Sequence, residues 1–325
     1  MSENLSVPPL SCTDFRPRIT IIGVGGGGAS AVDAMITADL RDVDSVVVDT
    51  DPWELIHSPA AHRIQLDPII HTGSVDDVDA EIGRLAAEKA VDDIKGHLDG
   101  VHLVFLVAGM GGSTGTGATP VIASAAAELG ILTVGVVTSP FAFEGSERAR
   151  VAEEGITDLQ QFVDTLIVIP ANRLLGSLQH ERMTQRESFE RLDHALYRGV
   201  SGVTDLLLKI PNIGIDFADV RSVLANMGKA TIGHGEASGE KRAIWAAEQV
   251  LTDPLLAGID LSEMGGLLMS FVSGSDLTLF EVDEAATRIR REFNGDATVI
   301  FGWSRDKDME GTIRISTTVV GWRPA

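Results

Sequence analysis

Two glycine-rich loops hold the residues of this chain best suited to chemistry. The first, Gly23-Val24-Gly25-Gly26-Gly27-Gly28, fits G-x-G-x-x-G through Gly23, Gly25 and Gly28; it follows a β-rich run, Arg18 to Ile22, and opens a helical pattern from about Ser30 to Leu40. With Asp49 and Asp51 at the end of the next strand, this is the pattern of a dinucleotide-binding turn. Its plainer alternative is a tight turn that lets helix and strand pack closely. The second loop, Gly109-Met110-Gly111-Gly112-Ser113-Thr114-Gly115-Thr116-Gly117, places five glycines and two threonines between an apolar strand and a helix. Bare backbone N–H groups, hydroxyl donors and the positive end of a helix dipole then point at one place, which is the chemistry of an anion cradle. A hydride-transfer enzyme has no use for a second cradle of this kind. Neither loop contains Gly-Lys-Ser/Thr, which excludes a Walker-type P-loop. Phosphate charge has to be met by backbone, helix dipoles and Mg2+.

The elements that position these loops alternate. Val101–Val107, Leu132–Thr138 and Thr165–Ile169 are continuous apolar runs, Ser45–Val48 is a shorter one, and helical stretches lie between them, including a single helix expected from about Ala80 to Leu98. Apolar strands alternating with helices predict an α/β fold with a Rossmann-like parallel sheet covered on both faces. From about Glu181 to Lys209 the pattern is polar on one side and leucine-bearing on the other, so one long helix is expected to connect two domains. Beyond Asp216 come a helix with Val220, Val223 and Leu224, a second from about Gly239 to Leu251, a third near Asp283 to Phe293, and strands at Gly266–Val272, Ala297–Gly302 and Thr312–Val320. This second unit reads as α+β with a mixed sheet. The expected division is a flexible arm at 1–17, a nucleotide-binding domain at 18–180, the connecting helix at 181–209 and the α+β domain at 210–325.

Length and composition agree with two globular domains: 325 residues, 44% hydrophobic and 22% charged, which rules out a disordered or collagen-like chain. Twenty-six Lys+Arg against 47 Asp+Glu give a net charge of −21, so the surface repels nucleic-acid backbones and anionic lipid heads. No nucleic-acid partner and no direct membrane binding are expected. No apolar run approaches the roughly 18 to 20 residues that span a bilayer and the start does not resemble a signal peptide, so the expected compartment is the cytoplasm. Cys12 is the single cysteine, which excludes an internal disulfide and a thiolate cluster.

The second loop resembles the tubulin/FtsZ signature G-G-G-T-G-T/S-G, and further segments resemble FtsZ, the bacterial division GTPase. These are Gly23 to Gly28, Leu132 to Thr138, Pro140-Phe141-Ala142-Phe143-Glu144-Gly145, Asp164 to Pro170, Asp216-Phe217-Ala218-Asp219-Val220, Ser238 to Ala243 and Asp253-Pro254-Leu255-Leu256, in order from about residue 18 to 320. The resemblance implies GTP and GDP as ligands with Mg2+, and a filament in which one subunit's second domain completes its neighbour's active site. It implies that Gly25, Gly26, Gly27 and Gly28, with Gly111, Gly112, Ser113, Thr114, Gly115, Thr116 and Gly117, hold the phosphates. Glu144 would meet the ribose, Arg148 the phosphate region, and Phe189 would stack on the base. Asp216 and Asp219 match the two acids that polarise water in the next subunit's site. The plainer reading of Asp216 is a helix N-cap, with Asp219 satisfying the first-turn dipole; both readings hold together. The implied partners are further copies of the chain, head to tail, or a co-resident FtsZ.

Several residues depart from the family pattern. Where members carry a small glycine- and alanine-rich loop around the terminal phosphate, this chain has Val75-Asp76-Asp77-Val78-Asp79-Ala80. Carboxylates there either recruit a metal, weaken triphosphate sensing, or swing out as an acidic turn. Gly214 replaces an Asn of the catalytic loop, Ser30 an Asn near the base, Ser113 a Gly and Asp49 an Asn. A gapless count sets His194 at the guanine-reading Asp, with Asp193 one place away; only a carboxylate accepts from both N1–H and the exocyclic amine. Only Gly321 to Ala325 follow the last strand, so the resemblance is to a divergent FtsZ-like protein lacking the C-terminal tail, with no tail peptide for membrane adaptors. Trp245 reads as a contact anchor or a half-buried core residue; His57, His62 and His71 read as solvated. The main expectation is a filament-forming GTPase. Its alternative is a non-catalytic or weakly nucleotide-binding homologue with a structural or regulatory role. An NAD-dependent oxidoreductase rests on the first loop and Asp49/Asp51 alone.

Overall fold

Strands form where the sequence is apolar and β-branched, and the chain lays most of them side by side in one direction. The computed structural model describes residues 16–67, 79–176, 184–208, 211–213 and 215–321. In chain order, its N-terminal elements are β1 (Ile19–Val24), α1 (Gly25–Thr37), β2 (Asp44–Asp49), α2 (Pro52–His57), β3 (His62–Gln65), α3 (Ala80–Lys89), α4 (Val91–Leu98), β4 (Leu103–Gly109), α5 (Ser113–Glu128), β5 (Leu132–Ser139), α6 (Ser146–Leu159), β6 (Thr165–Pro170) and α7 (Ala171–Gly176). Helix α8 (Gln185–Leu208) is followed by β7 (Pro211–Ile213), α9 (Phe217–Leu224), β8 (Gly228–Ser238), α10 (Arg242–Leu251), β9 (Gly266–Ser273), α11 (Leu279–Arg290), β10 (Thr298–Arg305) and β11 (Thr312–Val320).

Strand order is β3-β2-β1-β4-β5-β6-β8-β11-β9-β10-β7 in a single sheet. The first six strands are mutually parallel. Alternating residues of β1 serve its two faces: Ile19 and Ile21 join a core with α1 and α8, whereas Ile22 and Val24 join one with α3, α4 and α5. The expected two-domain architecture therefore holds, with a parallel nucleotide-type sheet first and a mixed sheet second. In the second unit β11 runs antiparallel to β8 and β9, while β10 runs parallel to β9. A separate core of Ala246, Val250, Phe271, Ile289 and Ile315 lies there. The two halves meet through β6 and β8, paired at Thr165–Gly228, Leu166–Lys229 and Ile167–Ala230.

Helix α8 buries Leu192, Ala195, Leu196, Gly199, Val200, Val203 and Leu206, a spacing of three and four residues that keeps one stripe on the sheet. Its observed span falls inside the expected one; residues 181–183 and 209 lie outside the described residues. Four details differ from expectation. The helix expected from Ala80 to Leu98 is two, broken at Ala90 (φ −95°, ψ 7°); Asp79 caps the N-terminus of the first. Strand β8 was not legible because Gly228, Gly233 and Gly235 interrupt its apolar alternation. A Cβ on Gly235 would overlap the Ala246 carbonyl oxygen, so the glycine lets α10 lie on the strand. Short edge strands β3 and β7 likewise carry too few apolar residues to announce themselves; β3 begins at His62. No described helix is long and apolar enough to cross a membrane.

Candidate functional site

In a parallel sheet ordered 3-2-1-4-5-6 the chain reverses its direction of growth between β1 and β4, which opens a crevice at their carboxyl ends. Both glycine loops sit there. Strand β1 ends at Val24 and passes directly into α1 at Gly25; β4 ends at Gly109 and leads to α5 at Ser113. The loops touch: Gly25 has φ of 71°, and a Cβ on it would lie 2.9 Å from the backbone nitrogen of Gly115. Gly111, at φ 101°, faces Arg148, whose Cγ would be 2.8 Å from an added Cβ. Thr50 and Thr114 share a hydroxyl hydrogen bond of 2.9 Å, which ties the end of β2 to the second loop.

The site residues divide into two sets. Gly26 and Gly27 are exposed and Gly112, Ser113 and Thr114 are half-buried, so these line the open crevice. Gly25, Gly28, Gly111, Gly115, Thr116 and Gly117 are buried and hold the loops in shape. The Thr116 hydroxyl oxygen accepts from the Gly111 backbone N–H at 2.7 Å. Neither α1 nor α5 has a side-chain N-cap or an acidic residue in its first turn. By contrast α2, α3, α9 and α11 are capped by Asp51, Asp79, Asp216 and Thr278. Helices α4, α6 and α10 also lack a side-chain cap, but α1 and α5 are the two whose uncapped N-termini adjoin at the glycine loops, where their N–H groups and dipoles could meet an anion. Ser113 has no positive φ, so the serine in place of glycine adds no backbone strain.

Glu144 accepts from the Phe141 backbone N–H at 2.9 Å and pairs with Arg148 at 3.2 Å, which anchors both beside the second loop. Phe189, 43% exposed, meets Phe141 edge-on at 5.8 Å, and Phe143 stacks on Phe141 at 5.1 Å. Phe143 carries no site role in the sequence reading beyond its place in the Pro140–Gly145 segment; its position directly before Glu144 is the available signal. Asp193 and His194, one residue apart, face different neighbours. Asp193 accepts from the Ser30 hydroxyl at 3.0 Å and so faces α1, while His194 turns away to lie near Tyr197, ring centroids 6.2 Å apart. Burial pushes the Asp193 carboxyl up to about 6, against the lowering effect of the Ser30 hydrogen bond.

Asp49 is 3% exposed. One carboxylate oxygen accepts from the backbone N–H groups of Thr50 (2.6 Å) and Asp51 (3.0 Å), and the other, Oδ2, has no partner. Burial raises its pKa despite those bonds, and Glu54 on α2 is raised by burial and by Asp49, Asp51 and Asp33. Of the acidic loop, Asp79 accepts from the Glu81 N–H as the α3 cap; Asp76 and Asp77 lie outside the described residues, as do Gly214 and His71. His57 and His62 are exposed, and among the described residues no three metal-binding side chains converge. Trp245 is 59% exposed, a surface residue rather than a half-buried one.

Asp216 accepts from the Asp219 N–H at 2.8 Å, and Asp219 accepts in return from the Asp216 N–H at 3.3 Å. This reciprocal cap lies beyond the far end of α8. That helix has 24 residues, about 36 Å at 1.5 Å per residue. Asp193 and Phe189 stand in its first half, so Asp216 and Asp219 are far from the crevice of their own chain.

Residues 18–179 match the tubulin/FtsZ family GTPase domain, and residues 228–323 match the FtsZ family C-terminal domain. The chain is 50% identical over 321 residues to cell division protein FtsZ 1 of Rhizobium meliloti, covering 99% of this chain and 54% of that protein. It is 48% identical to the cell division protein FtsZ of Rickettsia conorii, covering 94% of this chain and 68% of that protein. The solved structure of an empty FtsZ dimer from M. jannaschii superimposes with a TM-score of 0.88 at 34% identity, covering 95% of this chain and 89% of that one. The chain belongs to the tubulin/FtsZ family. It spans about half the length of the first of these relatives. The expectation of a divergent member lacking its C-terminal tail is corrected: the family's C-terminal domain is present through residue 323, and half the aligned residues are identical to a curated member.

Proposed function

We propose that the chain binds GTP and GDP in the crevice between the β1–α1 and β4–α5 loops and assembles head to tail, each junction completing one hydrolytic site. The observation that carries this reading is the pair of uncapped glycine helix N-termini at the sheet's switch point. Gly26, Gly27, Gly112, Ser113 and Thr114 would hold the phosphates, Glu144 and Arg148 the ribose and phosphate region, Phe189 the base face, and Asp193 its N1–H and amine. Asp216 and Asp219 would polarise the attacking water of the neighbouring subunit, since they lie too far from their own crevice. The FtsZ dimer from M. jannaschii supports the assembly. The working units are 18–180, the helix 181–209 and 210–325, in the cytoplasm.

Mg2+ neutralises developing phosphate charge when it is bound. The described residues fit it only as an ion held by phosphate oxygens and water, the usual manner for this metal, because they offer no dedicated cage. The residues themselves bind, orient and activate water.

Denaturing freshly purified protein and identifying what is released, followed by calorimetry with GTP, tests the reading. Guanine nucleotide on release and micromolar or tighter uptake are expected. A protein that emerges empty and takes up GTP only weakly supports the alternative, a weakly binding homologue, which the buried, unpartnered Oδ2 of Asp49 behind the loops favours.

The raised Asp193 carboxyl sets a pH dependence. Guanine needs the ionised form, so GTP affinity is full at pH 7.5 and falls as pH drops through about 6, approaching tenfold per unit below it. The ligand-free protein responds oppositely. A carboxyl that holds its proton more tightly folded than unfolded stabilises the fold most at low pH, and that contribution is lost as pH rises through about 6. Calorimetric GTP titrations at a series of pH values, beside melts of the free protein, check both signs; Asp193→Asn should flatten both curves.

A further inference from the structure

Asp216 and Asp219 stand at the start of α9, a helix of 8 residues, so their position depends on what holds that helix. Its apolar side, Val220, Val223 and Leu224, lies in a core shared with Leu268 of β9 and with Val134 and Ile167 of the parallel sheet. Apolar burial is non-directional and does not by itself fix a helix along its axis. Hydrogen bonds do. Among the described residues, those that leave α9 and the turn after it for another element reach the nucleotide-binding half.

Asp164, directly before β6, is the centre of this tether. One carboxylate oxygen accepts the Thr133 N–H at 2.9 Å and the other accepts the Asn226 N–H at 3.2 Å. Its own N–H donates to the Thr133 carbonyl, and its carbonyl accepts from the Gly228 N–H, both at 2.9 Å. The neighbouring Thr165 hydroxyl donates to the carbonyl of Leu224, the last residue of α9. The other end of the helix is also held. Phe217, beside Asp216, meets the His102 ring edge-on, with centroids 6.2 Å apart and planes at 78°. The His102 Nδ1 accepts the Arg18 N–H at 3.0 Å, and its backbone N–H donates to the Arg18 carbonyl at 2.9 Å. Arg18, His102, Thr133 and Asp164 all lie at the amino ends of parallel strands, the edge of the sheet opposite the crevice.

We propose that Asp164 is the positioning residue for the water-activating acids of α9 and that, with His102, it fixes them to the nucleotide-binding half of their own subunit. The proposal rests on the head-to-tail shared site proposed above. A carboxylate suits the task because it offers an acceptor on each side, whereas an amide offers one. The acids lent to the next crevice then follow the nucleotide domain that carries them rather than the C-terminal sheet. A shift in one crevice's domain is thereby passed through α9 to the adjoining site.

Asp164→Asn keeps the side chain's size and gives up one acceptor. At saturating GTP and above the assembly concentration, its phosphate release is expected to fall about tenfold or more, as for a small misplacement of a catalytic group, with calorimetric GTP affinity unchanged. Equimolar mixtures then locate the fault. Each head-to-tail junction joins one subunit's crevice to another's acids, so faults on opposite sides leave about a quarter of random junctions intact. Asp164→Asn mixed with Thr114→Ala, which is faulty in the crevice, should therefore regain about a quarter of parent turnover. Mixed with Asp216→Asn, which is faulty in the acids, it should regain none. Thr114→Ala with Asp216→Asn is the control and should recover. Parent turnover in Asp164→Asn, recovery with Asp216→Asn, or no recovery with Thr114→Ala while the control recovers, overturns the proposal. A control that fails removes the shared-site reading itself, and the proposal with it. If Asp164→Asn folds poorly, His102→Ala enters the same mixtures with the same expected pattern.

Discussion

Replacing Asp216 by Asn is expected to lower GTP turnover about a hundredfold or more while leaving the fold and GTP affinity unchanged, the range for losing one group that activates the attacking water. The choice of Asn rests on the cap. Asp216 accepts the Asp219 N–H at the start of α9, and asparagine caps as well as aspartate, so the helix keeps its first turn. What disappears is the carboxylate alone. Alanine would remove cap and carboxylate together, costing about 1 kcal/mol of stability and blurring the result. Asp219→Asn should behave similarly, because its side chain still reaches back to the Asp216 N–H. Steady-state phosphate release measured above the assembly concentration, with calorimetric GTP affinity alongside, reads the two quantities separately. Wild-type turnover in Asp216→Asn would remove both the assignment and the shared-site reading.

Gly117→Ala is expected to destabilise the protein by about 3 kcal/mol, lowering its melting temperature by roughly 4 °C, and to weaken nucleotide binding. An added Cβ would overlap the Ala80 carbonyl oxygen and stand 2.6 Å from the Arg84 nitrogen, and neither is the movable end of a side chain. Relief requires moving α3 away from α5. Gly83 interlocks from the opposite side, because a Cβ there would overlap the carbonyl oxygen of Ser113, inside the second phosphate loop. Displacing α3 therefore disturbs the cradle as well as the packing. Gly96→Ala is the matched control. That position lies inside α4 with nothing within 4 Å of an added Cβ, so alanine should stabilise by up to about 1 kcal/mol. Thermal melts of the three proteins decide; equal melting temperatures for Gly117→Ala and the parent would show that α3 yields without cost.

The glycine loops were legible because their chemistry is local: strand, glycines and helix follow one another in the chain, and φ values of 71° at Gly25 and 101° at Gly111 are what such runs are for. The parallel strands were legible because burial on both faces writes a continuous apolar run. Strand β8 was hidden for the converse reason, since its glycines serve close approach by α10 rather than apolar burial. Which of Asp193 and His194 faces α1 could not be read from spacing, as they differ by one residue and so by about 100° around a helix. Only the packing of α8 against α1 decides which of them meets Ser30.

The pairing of β6 with β8 has a mechanical meaning. Among the described residues eleven strands form one sheet, yet the two halves are stitched at three residue pairs, whereas β8 and β11 within the second half share nine. A pull that separates the two halves would load those three pairs, and α8, packed on β5 in one half and on β9 and β11 in the other, would act as the splint across the gap. The molecule is built as two stiff plates with a short weld, and tension would be felt at the weld before either plate deforms.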